Sequence, residues 1–239
     1  MKKLIIFGFL STIIFTSCQN DIVGEGPIIT EEITIDNFNG IGTYGDDRVI
    51  ISYGETQKIT VTGHANIIDK LQKNIYEGTW DIVLKDGNYK NAQLTVNIIT
   101  PLLNSVELQG SGSVDIANFK SDENVAISIY GSGYIELNGN TGCKNLDITM
   151  ESSGAIYSTN NFEDLINLNI EIEGSAQFNG FPITSTNSKI DISGSGTCNV
   201  TAQTLLDVKI TESGIVNYKG NPTIKTNITG SGKINNFND

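Results

Sequence analysis

The chain has 239 residues and carries 15 basic side chains against 27 acidic ones, a formal net charge of −12. Its sole arginine is Arg48, so the clustered cations through which proteins displace counterions from phosphate backbones are missing, and nucleic acid is excluded as a partner. Three cysteines are too few for a disulfide scaffold, and no Cys/His set has zinc spacing, so neither a metal nor any other cofactor is expected.

The N-terminus reads MKKLIIFGFLSTIIFTSC: two lysines, then an apolar run from Leu4 to Ile14 that is too short to cross a bilayer as a mature helix. Residues 1–17 are therefore expected to be a secretory signal. The Ser17-Cys18 ending resembles the lipobox of bacterial lipoproteins, with Phe15 departing from the usual leucine. That resemblance implies a lipidated Cys18, attachment to a membrane through the lipid, and an exported protein at the outer membrane or cell surface. An ordinary signal peptide cut nearby is the alternative. Loss of residues 1–17 removes Lys2 and Lys3 and no acid, taking the charge from −12 to −14. Residues 18–27, with Gly24, Gly26 and Pro27, read as a short flexible tether.

Residues 28–104 predict an irregular β region and cap. Strands are expected around Ile33 and Ile35, Val49 and Ile51, and Ile59 and Val61. Ile67, Ile68, Leu71 and Ile75 then stand at helical spacing before a glycine stop at Gly78. Strands resume at Trp80, Ile82 and Leu84 and at Leu94, Val96 and Ile98. This half is expected to supply irregular early turns of the solenoid together with a cap, because an uncapped solenoid exposes a sheet edge.

Residues 105–239 are repetitive. Triplets related to Gly-Ser-Gly begin at Gly110, Gly131, Ser152, Gly174, Gly194, Glu212 and Gly230, spaced 21, 21, 22, 20, 18 and 18 residues apart. That is the period of a β-solenoid with one repeat per turn. Before each triplet, Leu108, Ile129, Met150, Ile172, Ile192, Ile210 and Ile228 alternate with polar residues; after it, Val114, Ile135, Ile156, Phe178, Cys198, Val216 and Ile234 do the same. Period-two alternation makes each half-repeat a strand with one face in a core. The triplet is then a corner, and its serines (Ser111, Ser132, Ser153, Ser175, Ser195, Ser213 and Ser231) are expected to fill that corner as a stacked hydroxyl ladder. A variable third side follows, with Phe119, Cys143, Phe162, Ile183, Leu205 or Ile224. The fold class predicted is all-β: a right-handed parallel β-helix of roughly seven GSG-cornered turns, each advancing ~4.8 Å, preceded by less regular β turns with one short helix.

The lipobox, the stretch IDNFNGIGTYGDDRVIISYGETQKITVTG, the segment IYEGTWDIVLKDG and the ladder of GSG turns together resemble the bacterial family called "putative autotransporter adhesin, head GIN domain". The resemblance covers most of residues 30–236. It implies a right-handed parallel β-helix shaped like pectin lyases, without a recognised catalytic set and with an adhesive role.

Among the residues themselves, a phosphate loop must open a helix, whereas every GSG here opens a strand. His64 is the sole histidine and no GxSxG elbow occurs, so serine hydrolysis is set aside and His64 is read as a capping or solvent-exposed residue. A polysaccharide-cleaving enzyme is the rival reading. It would use Glu171 with Asp191 or Asp115 with Glu136, each pair one turn apart on an outward column, against the plainer reading of solvated charge without basic partners. Asp46 and Asp47 suggest at most a weak calcium site. Tyr130, Tyr134 and Tyr157 lie on or beside exposed columns and are candidates for contact with a glycan or another surface protein. Cys198 falls in an inward column, which favours a buried thiol over a disulfide with Cys143. The expected function is non-catalytic binding or adhesion by a lipid-anchored envelope protein, with a carbohydrate-active enzyme and a purely structural envelope protein as alternatives.

Overall fold

Alternating apolar and polar residues become parallel strands that coil and stack. The computed structural model describes residues 21–119, 121, 124–138, 142–160 and 165–238. Strands Ser105–Gly110, Asn124–Gly131, Asn145–Ser152 and Asn167–Gly174 pair in parallel and in register, and the ends of Gln177–Gly194 and Thr197–Glu212 and then Thr223–Gly230 continue the series. The corner residues therefore form a single row: Gly110, Gly131, Ser152, Gly174, Gly194, Glu212, Gly230. Past the corner, Ser113–Ala117, Tyr134–Asn138, Ala155–Ser158, Ile215–Lys219 and Lys233–Asn236 form the second side with the beginnings of the two long strands. Like stacks on like. Leu108, Ile129, Met150, Ile172, Ile192 and Ile210 are fully buried, as are Val114, Ile135, Ile156, Phe178, Cys198 and Val216. The protein is an all-β solenoid, as its period predicts.

In two turns the third side is more regular than expected. Gln177–Gly194 and Thr197–Glu212 each run unbroken from one corner to the next, bending where the register shifts between Asn179/Thr184 and Ser185/Asn187. Ser185 and Ser188 share a buried 2.7 Å hydroxyl contact at that bend, which satisfies both polar groups inside the coil.

The N-terminal half supplies the early turns expected and differs in three details. First, these turns continue the same row of corners in register. Gly40–Gly45 and Arg48–Tyr53 pair in register with Ser105–Gly110 and Ser113–Ala117, and Gly45, at φ 123°, is a further corner in the row. On its other side lies the turn made by Thr79–Ile82 and Thr95–Thr100. Residues 40–53 are thus sandwiched between 79–100 and 105–117, and stacking order departs from chain order. Lys58–His64 then runs antiparallel against Thr95–Thr100, and Ile28–Ile33 antiparallel against Lys58–His64, closing this end.

Second, the helix is a single turn, Ala65–Ile68. Leu71 instead bridges Leu84, and Ile75–Tyr76 forms a hairpin with Thr79–Ile82 around Glu77 and Gly78, both with positive φ. Two positive-φ residues are what a tight hairpin turn demands, so Gly78 reverses a strand rather than ending a helix. Ile67, Ile68 and Leu71 are buried all the same, plugging the end of the coil.

Third, the segment read as tether is partly held. Ile22–Val23 pairs in parallel with Tyr89–Lys90, Asp21 is ion-paired with Lys90, and the Asn66 side chain donates to the Val23 carbonyl.

Candidate functional site

The corners carry no ligand chemistry of their own. All seven triplet serines are exposed, so they do not fill the corner as a hydroxyl ladder. Their backbone N–H groups do the stacking: Ser111 donates to the Gly45 carbonyl, Ser132 to Gly110, Ser195 to Gly174 and Ser231 to Glu212, at 2.7–2.9 Å. The residue that faces inward is the third of the triplet. A Cβ added at Gly133 would lie 2.5 Å from the Gly112 oxygen and 2.8 Å from Leu108 Cδ2, so the core leaves almost no room there. Side-chain ladders exist elsewhere, in rows that the sequence shows only as outward polar residues. Asn235 donates to Asn217, Asn217 to Asn199 and Asn199 to Asn179 at 2.7–2.9 Å. A second row links Asn187, Asn167, Asn145 and Asn124 at 2.7–3.1 Å. Such half-buried amides satisfy one another along the stack.

Of the three candidate tyrosines, the fold brings two together. Tyr134 and Tyr157 are 46% and 40% exposed, and their rings meet edge to face with centroids 6.5 Å apart. They sit on adjacent turns of the second side, where parallel pairing fixes their backbone positions. Tyr130 is half-buried across the corner, in a row that runs Tyr44, Gln109, Tyr130, Glu151.

The carboxylate pairs are adjacent as expected, with Glu171 opposite Asp191 and Asp115 opposite Glu136. Basic partners, not expected from the sequence, are present. Lys209, next in the row, donates to Asp191 at 2.7 Å, and the hydrogen bond and charge of Asp191 hold its ammonium above the ordinary lysine value. Lys189 lines the same shallow groove with Asp147, Thr149 and Glu171. Asp115 accepts a 3.0 Å hydrogen bond from the Asn138 amide.

A hollow of larger volume lies at the capped end, lined among others by Tyr44, Asp46, Asp47, Lys85, Asp86, Tyr89 and Gln93. Sequence reading missed it because its walls come from segments some 40 residues apart that only the sandwiched turn brings together. Asp47 accepts the Leu94 N–H at 2.7 Å, and burial pushes its carboxyl up to about 6 against that hydrogen bond. Tyr44 is raised too, by burial and then by the nearby charges of Asp81 and Glu107. Among the described residues no three metal-ligating side chains gather, at Asp46 and Asp47 or elsewhere. His64 precedes the helical turn in an extended conformation without capping it through its side chain, and Asn91 contacts its Nε2 at 3.0 Å.

Cys198 is a fully buried free thiol, and burial raises its pKa strongly. Cys143 is also free; its Sγ donates to the Asn145 carbonyl, and burial pushes it up to about 12. Cys18 and Phe162 lie outside the described residues.

These features define a parallel β-solenoid with a plugged N-terminal end and outer faces bearing aromatic and charged rows. Residues 37–222 match the family described as "Putative auto-transporter adhesin, head GIN domain", and the chain belongs to that family. Its coil is similar to three solved structures. One, described as a "Putative lipid binding protein" from Parabacteroides distasonis, is 25% identical with a TM-score of 0.73 over 92% of this chain and 100% of that one. A "putative adhesin" from Parabacteroides merdae is 18% identical with a TM-score of 0.75, covering 91% and 99%. Another from Bacteroides fragilis is 18% identical at 0.70, covering 90% and 100%. No curated protein matches the chain.

Proposed function

We propose that the protein is an exported, lipid-anchored envelope adhesin that binds without catalysis, contacting a glycan or surface protein through its outer faces. The observation that carries this reading is the exposed Tyr134–Tyr157 pair, two aromatic faces held on a register-locked sheet in a chain whose family is described as adhesive. Sugar rings and apolar surface both pack on such faces, and exposed patches of this kind mark interaction sites. A glycan array probed with the protein tests it: substituting both tyrosines with alanine should abolish the strongest signals, and unchanged binding would remove the pair from the site. For the anchor, Cys18→Ser should move the protein from the detergent phase to the aqueous phase, because acyl chains leave with the thiol.

The enzymatic alternative asks for two carboxylates with distinct proton affinities in a sheltered groove. Glu171 and Asp191 stand instead on a strand face, with Asp191 bonded to Lys209. No new reducing ends or unsaturated uronates are expected from a polysaccharide panel. The lipid-binding description of one relative would, on this chain, concern its surface: the apolar hollow between Leu103, Phe119, Ile127 and Leu137 has a volume of about 10 Å³, no more than the roughly 10–15 Å³ that a single water needs.

A further inference from the structure

The segment expected to be a tether is held almost from its start. The Ile22 and Gly24 N–H groups donate to the Asn88 and Lys90 carbonyls at 2.8 and 2.9 Å. Asn91 donates to the Gly24 carbonyl at 3.0 Å. Asn66, in the helical turn that plugs the coil, donates to the Val23 carbonyl at 2.7 Å, and its side-chain oxygen accepts the Glu25 N–H at 3.2 Å. Asp21 is bonded to Asn88 and ion-paired with Lys90. A Cβ at Gly24 would collide with the Asn91 carbonyl and the His64 ring, so the segment lies flush against this end of the coil. Between Cys18 and Asp21 stand only Gln19 and Asn20. Three residue steps reach at most roughly 10 Å even when fully extended.

The same end carries the molecule's barest apolar groups. Tyr76, 73% exposed, and Ile28, 59% exposed, are the two most exposed large apolar side chains among the described residues. Both stand on the outermost strands of this end, Ile75–Tyr76 against Thr79–Ile82 and Ile28–Ile33 against Lys58–His64. Ile29 and the docked Val23 are exposed as well. Tyrosine and aliphatic side chains are the groups that settle at the headgroup level of a bilayer. Attraction to anionic lipid is not the cause, since residues 21–33 and 58–93 carry eight acidic side chains against five lysines. We propose that the plugged end of the coil rests on the lipid surface, held there by the short link to Cys18, with Tyr76, Ile28 and Ile29 meeting the headgroups. This rests on the lipid-anchored reading and adds an orientation to it: the coil stands out from the membrane instead of trailing on a flexible leash. Eight strand-to-strand steps separate Thr79–Ile82 from Thr223–Gly230, roughly 40 Å. Tyr134 and Tyr157 lie three and four steps out, about 15–20 Å, which keeps the aromatic pair clear of the headgroups and open to a partner.

The test attaches a maleimide dye to the purified, membrane-extracted protein. Cys143 and Cys198 are buried and an acylated Cys18 has no free thiol, so the dye reacts only where Tyr76→Cys or Lys233→Cys supplies one. In phosphatidylcholine and phosphatidylethanolamine vesicles containing a headgroup nitroxide lipid, the dye at position 76 should be quenched at least about fivefold more strongly than the dye at 233, because roughly 40 Å separates the two ends. Ile28→Cys should behave as Tyr76→Cys does, which keeps the comparison available if the hairpin variant misfolds. Equal quenching at the two ends, or stronger quenching at 233, overturns the proposal. Dye taken up at Cys18 by the unsubstituted protein would show that the anchor is absent, and the proposal would fall with it. Failure of the anchor and failure of the orientation are thus read separately, the first from labelling of Cys18 and the second from alike quenching when Cys18 is blocked.

Discussion

Phe178 is the bulkiest side chain in its column, fully buried between Ile156 and Cys198 on the neighbouring turns. It fits because Gly180, two residues on and facing the same way, has no side chain. A Cβ built there would lie 2.2 Å from Phe178 Cε1 and 2.5 Å from Cζ. Gly180 needs no unusual backbone, so alanine would otherwise stabilise the strand by about 0.4–1 kcal/mol through the unfolded chain. With the ring trapped between two buried neighbours, Gly180→Ala should instead cost about 1–3 kcal/mol as overpacking. Phe178→Leu shortens the side chain by the atoms that collide and should cost about 1–2 kcal/mol for the apolar volume lost. In that background Gly180→Ala should be close to neutral, giving a coupling of about 1–3 kcal/mol in a double-mutant cycle measured by urea unfolding. Additivity within about 0.5 kcal/mol would refute the claim that the glycine exists to seat the ring.

Asp47 should make stability fall with rising pH: its folded pKa, about 6, is above the ordinary 3.8, so the folded state holds a proton that the unfolded state releases between about pH 4 and 6. Asp47→Asn, which can still accept from the Leu94 N–H, should flatten that part of the profile and raise stability at pH 7 by up to roughly 3 kcal/mol in urea melts; an unchanged profile would place the carboxylate in water. A thiol reagent should leave Cys143 and Cys198 unmodified in the folded protein and label both in urea, and fast labelling of Cys198 under native conditions would contradict its inward column. Asn217→Ala breaks two ladder hydrogen bonds and should cost about 1–2 kcal/mol, with Asn217→Asp costing more because its carboxylate would face the Asn199 carbonyl oxygen.

The sequence alone determined the coil from residue 105 onward, because each turn repeats one pattern and stacking like on like needs no information from outside the repeat. The columns from Leu108 to Ile210 and from Val114 to Val216 are inward as their alternation requires. It also determined which tyrosines stand on outward columns. What it could not determine is anything set by contacts between segments distant in the chain. Gly45 is a corner followed by Asp46 and Asp47 instead of serine and glycine, so no motif announced that residues 40–53 form a turn, or that 79–100 stacks outside it. The helical spacing of Ile67, Leu71 and Ile75 is satisfied just as well by a single helical turn, a bridge and a hairpin, since all the packing requires is apolar groups over the open coil. Whether a polar residue beside a strand bonds to its neighbour, as in the asparagine rows, or points to water, as the serines do, depends on which way the corner turns. Burial within a column is likewise a tertiary fact: Ile228 follows the same pattern as Ile210 yet is exposed where Ile210 is buried, because among the described residues no further turn packs over it.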